Sequence, residues 1–203
     1  MKLSTVSNQP TTKLILASAS PRRAAILKQI GLRFEIRASD LDEAEFQKTT
    51  STPAETVMGL ALEKARQIAE NSGSGLIIGA DTVVAVAGEI LGKPATPAEA
   101  VTMLSKLNGK EHSVFTGVAL VEIPGGRSKV SFAETKVRFR SLSLNEIEAY
   151  VATGEPLDKA GAYGIQGKGA ALVEEIHGCY FNVVGLPVGV FLDLLREFGI
   201  SVW

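Results

Sequence analysis

The stretch Leu14-Ile15-Leu16-Ala17-Ser18-Ala19-Ser20-Pro21-Arg22-Arg23 runs from an apolar segment straight into a helix start. Its first four residues read as a buried strand and the serines after them as a tight turn. Ser20 is a good N-cap, Pro21 suits the first helical position, and Gly31 stands where a helix C-terminal glycine is expected after the helical pattern of residues 24–30. The charge is the anomaly. Arg22 and Arg23 occupy a first turn whose unpaired N–H groups and dipole favour an anion. A bound phosphate would remove the conflict, because hydroxyls, free N–H groups and two guanidinium forks would converge on its oxygens. From these residues alone, a solvated basic helix end is equally compatible.

The chain around this unit has 203 residues, 45% of them hydrophobic, enough for one large domain or one domain with two lobes. A net charge of −1 and a pI near 6.2 argue against the broad basic face of a duplex-binding protein and leave room for a local cationic pocket, so any anionic partner is expected to be small. No apolar run approaches the roughly 20 residues that span a bilayer, and the polar start lacks a signal-peptide core, so a cytoplasmic protein is expected. Residues 1–12 are expected to be disordered and residues 13–203 to form the folded domain. The single cysteine, Cys179, excludes an internal disulfide, and with two scattered histidines it makes no zinc set. A metal here would be a hard cation on carboxylates.

Working outward, Leu32, Phe34 and Ile36 alternate with charged residues as in a half-buried strand, which leads into the acidic loop Ser39-Asp40-Leu41-Asp42-Glu43-Ala44-Glu45. Thr52 and Glu55 make a capping box around Pro53 and open a helix to about Asn71, in which Lys64 shares a stripe with Val57, Leu60, Ala61 and Ile68. A partly covered lysine there has either a specific partner or a snorkelling path to solvent. Leu76-Ile77-Ile78-Gly79-Ala80 reads as a central strand ending at Asp81-Thr82, the end where open α/β sheets bind ligands. A further strand is expected over 83–87, then a loop carrying Lys93, then a second boxed helix from Thr96 to Leu107. Segments 112–123 and 127–139 make a hairpin across Pro124-Gly125-Gly126, and Ser143 and Glu146 box a third helix with an apolar stripe at Leu144, Ile147 and Val151. The glycine-rich stretch 155–169 lacks the spacing of a dinucleotide fingerprint, and its length points to a functional or mobile loop. Strands are expected over 171–175 and 179–184, and a last helix from Pro187 to Phe198.

The unexplained charges are Arg22, Arg23, Lys64, Lys93 and Lys159, against carboxylates at Glu43 and Asp81. That inventory suits a polyphosphate with Mg²⁺ or Mn²⁺: cations neutralise phosphate oxygens, and the carboxylates hold the metal and orient or deprotonate an attacking water. Such chemistry needs no Ser-His-Asp set.

SASPRR at 18–23, EKAR at 63–66, GADT at 79–82, GKP at 92–94, DKAGAYGIQG at 158–167 and VVGLPV at 183–188 closely resemble the Maf family of nucleoside triphosphate pyrophosphatases, also named septum formation inhibitor proteins. The resemblance runs from Leu14 to about Phe198 with its blocks in order. It implies an α/β fold like that of the inosine triphosphate pyrophosphatases: an elongated mixed β-sheet flanked by helices, with two lobes and a cleft between them. The implied activity is metal-dependent cleavage of a nucleoside triphosphate to monophosphate and pyrophosphate, with homodimerisation as a family-level expectation.

Carried over by motif, Ser18, Ser20, Arg22 and Arg23 match the phosphate-binding opening, and Lys64 and Lys93 the two cleft lysines. Glu43 and Asp81 match the cleft acids. Asp81 is the expected general base or metal anchor and Glu43 its metal-side partner, a division the sequence leaves open. Thr82 and Gln166 match positions linked to reading a pyrimidine, and the Gln amide offers a donor and an acceptor to a uracil or thymine edge. The YGIQG form resembles the branch acting on dTTP and UTP, with modified pyrimidine triphosphates as further candidates. A regulator of cell division that binds nucleotide without turnover, or a 7-methyl-GTP pyrophosphatase, are the competing readings.

Overall fold

A computed structural model describes residues 12–41, 43, 46, 50 and 52–202. The extension expected to be disordered lies, apart from Thr12, outside the described residues, as do Asp42 and Glu45 of the acidic loop. The architecture is a seven-stranded mixed sheet in the order β2-β1-β3-β5-β6-β7, with β4 also on β3, flanked by helices. In chain order the strands are β1 (Leu14–Leu16), β2 (Glu35–Ile36), β3 (Gly75–Val86), β4 (Glu89–Leu91), β5 (Glu111–Ile123), β6 (Ser128–Phe139) and β7 (Val173–His177). The helices are α1 (Pro21–Gln29), α2 (Pro53–Glu70), α3 (Pro97–Leu107), α4 (Leu144–Val151), α5 (Tyr180–Val184) and α6 (Val188–Glu197).

Local chemistry places the helix starts. Ser20, Thr52, Thr96 and Ser143 each accept an N–H from the third residue into the helix, and proline opens α1, α2 and α3. Boxes close fully at Thr52/Glu55 and Ser143/Glu146. The box expected at Thr96 is half-formed, because the Glu99 carboxylate takes the N–H of Ala95 instead.

The period-two alternation of the long strands then sorts the core. On one face Ile77, Ala119 and Val121 pack with Ile15 and Ala17 against Ala61 and Ala65 of α2. On the other face two cores sit side by side along β3 and β5. One joins Leu76, Ile78, Val118 and Leu120 to α1 and α6; the other joins Val84, Val86 and Val114 to α3 and α4. Helix α2 comes close to the sheet because Gly79 and Gly117 lie beneath it. A Cβ on either would collide with a backbone carbonyl of α2, that of Ala61 or of Val57.

Several expectations change. The segments expected as separate strands over 76–80 and 83–87 merge into one strand, Gly75–Val86, so Asp81 sits in mid-strand and not at a carboxyl end; its charge mimics a strand terminus in the sequence, but a partner lets it stay buried. The strand expected over 32–37 shrinks to Glu35–Ile36, with Ile36 exposed, because β2 is an edge that pairs only with the short β1. Segment 179–184 is helix α5, not a strand, and β7 begins at Val173, after a 3₁₀ turn over Gly167–Leu172. Leu144 points outward, and the buried stripe of α4 is Ile147, Tyr150 and Val151.

One consequence of the topology positions the site. β5 covers one edge of β3 from Gly75 to Ala85. On the other edge β1 pairs only with residues 76–78 and β4 only with residues 84–86. Among the described residues no strand therefore pairs with residues 79–83 on that edge, and the gap lies between the two cores.

Gly79→Ala or Gly117→Ala should destabilise the fold by about 3 kcal/mol, because the colliding atoms are backbone and cannot rotate away. Gly92→Ala, where an added Cβ meets open space, should change stability by less than about 0.5 kcal/mol. Urea unfolding of the three variants checks this; equal midpoints would refute the close-approach account.

Candidate active site

The open edge of β3 is the floor of a pocket of about 460 Å³, and its walls come from residues far apart in the chain. Its lining includes Ser18, Ser20, Arg22, Arg23, Glu43, Lys64, Asp81, Thr82, Lys93, Lys159 and Gln166, so every residue singled out from the sequence reaches one cavity. Asp81 and Thr82 point to opposite faces of a strand, yet both line it, because the missing neighbour leaves both faces open at that place.

Lys64 is the centre of the acidic half. It is 7% exposed on α2, and its Nζ donates to Asp81 Oδ1 and to Glu43 Oε1, each at 2.6 Å. Lys93 donates to the second Glu43 oxygen at 3.0 Å. The two carboxylates are driven apart. Burial pushes Asp81 up from the ordinary aspartate value, and Glu43 adds repulsion, outweighing the pull of Lys64 and Arg23. Glu43 is also raised by burial, but its two lysines overcome that and hold it down to about 2. Ser39 and Asp40, at the start of the acidic loop, are tied to Gln67 on α2, one turn beyond Lys64.

The two arginines diverge instead of converging on one anion. Arg23 turns inward, 9% exposed, and its guanidinium donates from Nε to the Gly185 carbonyl at 2.8 Å, from one Nη to Ser18 Oγ at 3.0 Å and from the other to Thr82 Oγ1 at 3.1 Å. It fastens the β1–α1 turn to β3 and to the end of α5. Arg22 turns into the cavity mouth and donates to Asp158 at 3.1 Å, and Lys159 donates to the same carboxylate at 2.6 Å. The two guanidinium forks therefore do not converge as the sequence suggests: Arg22 lies in the cavity mouth on Asp158, whereas Arg23 is spent on Gly185, Ser18 and Thr82. The opening stretch still presents Ser20 at the N-cap of α1, its hydroxyl on the Arg23 N–H.

Loop 155–169 forms the remaining wall through 3₁₀ turns at Glu155–Asp158 and Ala160–Ala162. It brings Lys159 beside the cations and Gln166 to the exposed rim. Tyr163, Val84, Val114 and Val183 add an apolar wall next to it. Sequence reasoning passed over Asp158, although an acid directly before Lys159 in a glycine-rich loop was a usable signal. It could not find the Gly185 carbonyl or Thr116, which supports Thr82 through a hydroxyl contact at 3.0 Å, because both depend on chain packing.

The pocket thus separates a cationic side, an acidic pair and an apolar side with an amide at its rim. Among the described residues no group of three His, Cys, Asp or Glu side chains is placed to hold a metal. Glu43 and Asp81 do converge on the single point where the Lys64 ammonium sits, a place already built for positive charge.

The family model described as Maf-like protein matches residues 13–198. A dTTP/UTP pyrophosphatase of Moorella thermoacetica is 54% identical over 192 residues, covering 95% of this chain and 98% of that protein. One of Acetivibrio thermocellus is 52% identical over 197 residues, covering 94% and 97%. Among solved structures, a nucleoside-triphosphatase (dITP/XTP pyrophosphatase) of Mycobacterium abscessus has a TM-score of 0.46 at 16% identity, covering 92% of this chain and 97% of that one. No helix among the described residues is long and apolar enough to cross a membrane.

Lys64→Met should cost about 3–5 kcal/mol at neutral pH, because it strands the buried Asp81 charge. The variant's Asp81 rises further, so its folded value lies well above the unfolded one. The deficit is then full above the folded value and shrinks as pH falls through it, where the carboxyl is neutral. Urea unfolding from pH 7.5 to 4.5 reads this directly; a deficit independent of pH would contradict it.

Proposed function

The chain belongs to the Maf-like protein family, and we propose that it is a nucleoside triphosphate pyrophosphatase cleaving dTTP and UTP, and modified pyrimidine triphosphates, to monophosphate and pyrophosphate. The observation that carries the proposal is the shared pocket, in which two carboxylates with divergent acidity face a cationic mouth. Relatives about half identical in sequence carry the name of that activity.

The roles follow from charge and acidity. Arg22, Lys93 and Lys159 grip the triphosphate and neutralise the pyrophosphate as it leaves, with Ser18 and Ser20 at the helix start. In the reaction, water oxygen bonds to the α-phosphorus, the bond from that phosphorus to the α–β bridging oxygen breaks, and the water proton goes to a base. Asp81 suits the base: burial raises its pKa, which makes it the better proton acceptor, while Glu43 stays ionised throughout. Lys64 holds both carboxylates in place. Asp81 and Glu43 would also hold a Mg²⁺ or Mn²⁺ ion, since two carboxylates completed by phosphate and water oxygens fit a hard cation. When bound, that ion supplies further charge neutralisation at the phosphate oxygens. Gln166 and Thr82 serve the pyrimidine, with the apolar wall of Val84, Val114 and Tyr163 beside it. A cytoplasmic small-molecule enzyme is the corresponding cellular setting.

Asp81→Asn should lower pyrophosphate release from dTTP about 10²–10⁴-fold while nucleotide still binds, as followed by calorimetry. Wild-type turnover in that variant would sink the base assignment, and absence of turnover in wild type with every triphosphate would favour a nucleotide-binding regulator. Chelation by EDTA should abolish release and Mg²⁺ or Mn²⁺ restore it; full activity in EDTA would remove the metal from the scheme. Gln166→Glu should reduce the preference for dTTP over GTP about tenfold, since it replaces the amide donor by a charge facing carbonyl oxygens. Steady-state assays with both nucleotides measure this, and an unchanged ratio would exclude Gln166 as the reader.

A further inference from the structure

Gln166 lies at the rim of the pocket in a segment with no regular secondary structure, so something else must fix its position. Two side chains outside the pocket lining do so. Glu155 opens the first 3₁₀ turn of the loop and Tyr150 sits on the buried stripe of α4. The Tyr150 hydroxyl donates to Glu155 Oε1 at 3.0 Å, and its own oxygen accepts the N–H of Gly164 at 3.3 Å. The Glu155 carboxylate then accepts the N–H of Lys168 at Oε2 and that of Gly169 at Oε1, both at 3.0 Å. Gly164 precedes Gln166 by two residues and Lys168 follows it by two, so the segment is tied on both sides of the amide.

The glycines show how tightly the segment is drawn. Gly167 has φ +67°, and a Cβ there would lie 2.9 Å from Glu155 Oε2. A Cβ on Gly169 would collide with the Gly164 carbonyl and lie 2.7 Å from the Tyr150 hydroxyl. The segment therefore closes on itself around this pair. The protonation states agree with the hydrogen-bond directions. Burial and Glu155 push the Tyr150 phenol up, keeping it a donor, whereas the two backbone N–H groups hold Glu155 below the ordinary glutamate value against the effect of burial.

We propose that Glu155 and Tyr150 are positioning residues for substrate discrimination: together they staple residues 164–169 so that Gln166 is presented to the base of the nucleotide. The proposal rests on the reading of Gln166 as the residue that faces the base. Neither residue lines the pocket, so their effect falls on base discrimination and not on the grip of the polyphosphate.

The test uses the full-length protein with Glu155→Gln and Tyr150→Phe. Gln keeps the shape but sets an NH₂ group against a backbone N–H, and Phe keeps the buried ring while removing the hydroxyl. Each should raise KM for dTTP and reduce the dTTP-over-GTP preference about tenfold, the size expected for losing a charged or a buried hydrogen bond. In each, kcat and the inhibition constant of tripolyphosphate should stay within about twofold. Backbone hydrogen exchange should accelerate at Lys168 and Gly169 in Glu155→Gln and at Gly164 in Tyr150→Phe. Faster exchange with an unchanged preference, while Gln166→Glu does change it, overturns the positioning role and leaves the base reading standing. If Gln166→Glu is also without effect, the base reading fails and this proposal falls with it. Equal weakening of tripolyphosphate and dTTP would show a general loss of the pocket and would likewise overturn it.

Discussion

A buried ammonium holds this site together. Lys64 rises from a helix that lies flat on the sheet and ends between Asp81 on β3 and Glu43 on the acidic loop. Asp81, 5% exposed in the middle of a strand, would be a severe liability without that partner, since an unpaired buried carboxylate costs far more than a surface one. The same contact draws Glu43 over to the central strand, and Lys93 seals its other oxygen. Helix position, strand chemistry and loop placement thus meet at one nitrogen atom. Close approach of the helix is the precondition, and Gly79 and Gly117 provide it by leaving no side chain beneath α2.

Where the pocket opens is decided by strand lengths. β1 stops after three residues and β4 begins well beyond, so among the described residues five of the central strand have no strand paired on one edge. A sheet normally hides one face from the other. Here the gap lets the acid on one face and the hydroxyl on the other serve the same cavity, and the two hydrophobic cores on either side keep its walls apart.

The two arginines of the first turn have different partners. Arg23 spends its guanidinium on a carbonyl and two hydroxyls, tying the first turn of α1 to β3 and α5. Arg22, one residue earlier, faces the cavity mouth with Lys159, and Asp158 bridges the two. Asp158 is an exposed carboxylate between two positive groups, so it holds them together at little cost, as phosphate oxygens could in its place. The helix start that looked electrostatically frustrated in the sequence is relieved in two ways, by turning one arginine inward and by pairing the other with an acid from a remote loop.

Much of this was legible without coordinates. Caps and prolines placed the starts of α1, α2, α3 and α4, turn residues placed the β5–β6 hairpin, and the quoted motifs marked the residues that line the cavity, because these signals are local and reside in the side chains themselves. What failed was whatever depended on a partner elsewhere. Asp81 was read as a strand end because a charge interrupts an apolar run, and only Lys64, seventeen residues away, makes it tolerable inside a strand. Residues 179–184 looked like a strand because an apolar run of that length fits either state, and packing selected the helix. By itself the sequence determined the kinds of groups in the site and the elements that carry them. The tertiary structure decided which arginine lies in the cavity mouth, which carboxylate is pushed up by burial and how the segment around Gln166 is tied, because orientation, burial and remote hydrogen bonds exist only once the chain has closed around the gap in its sheet.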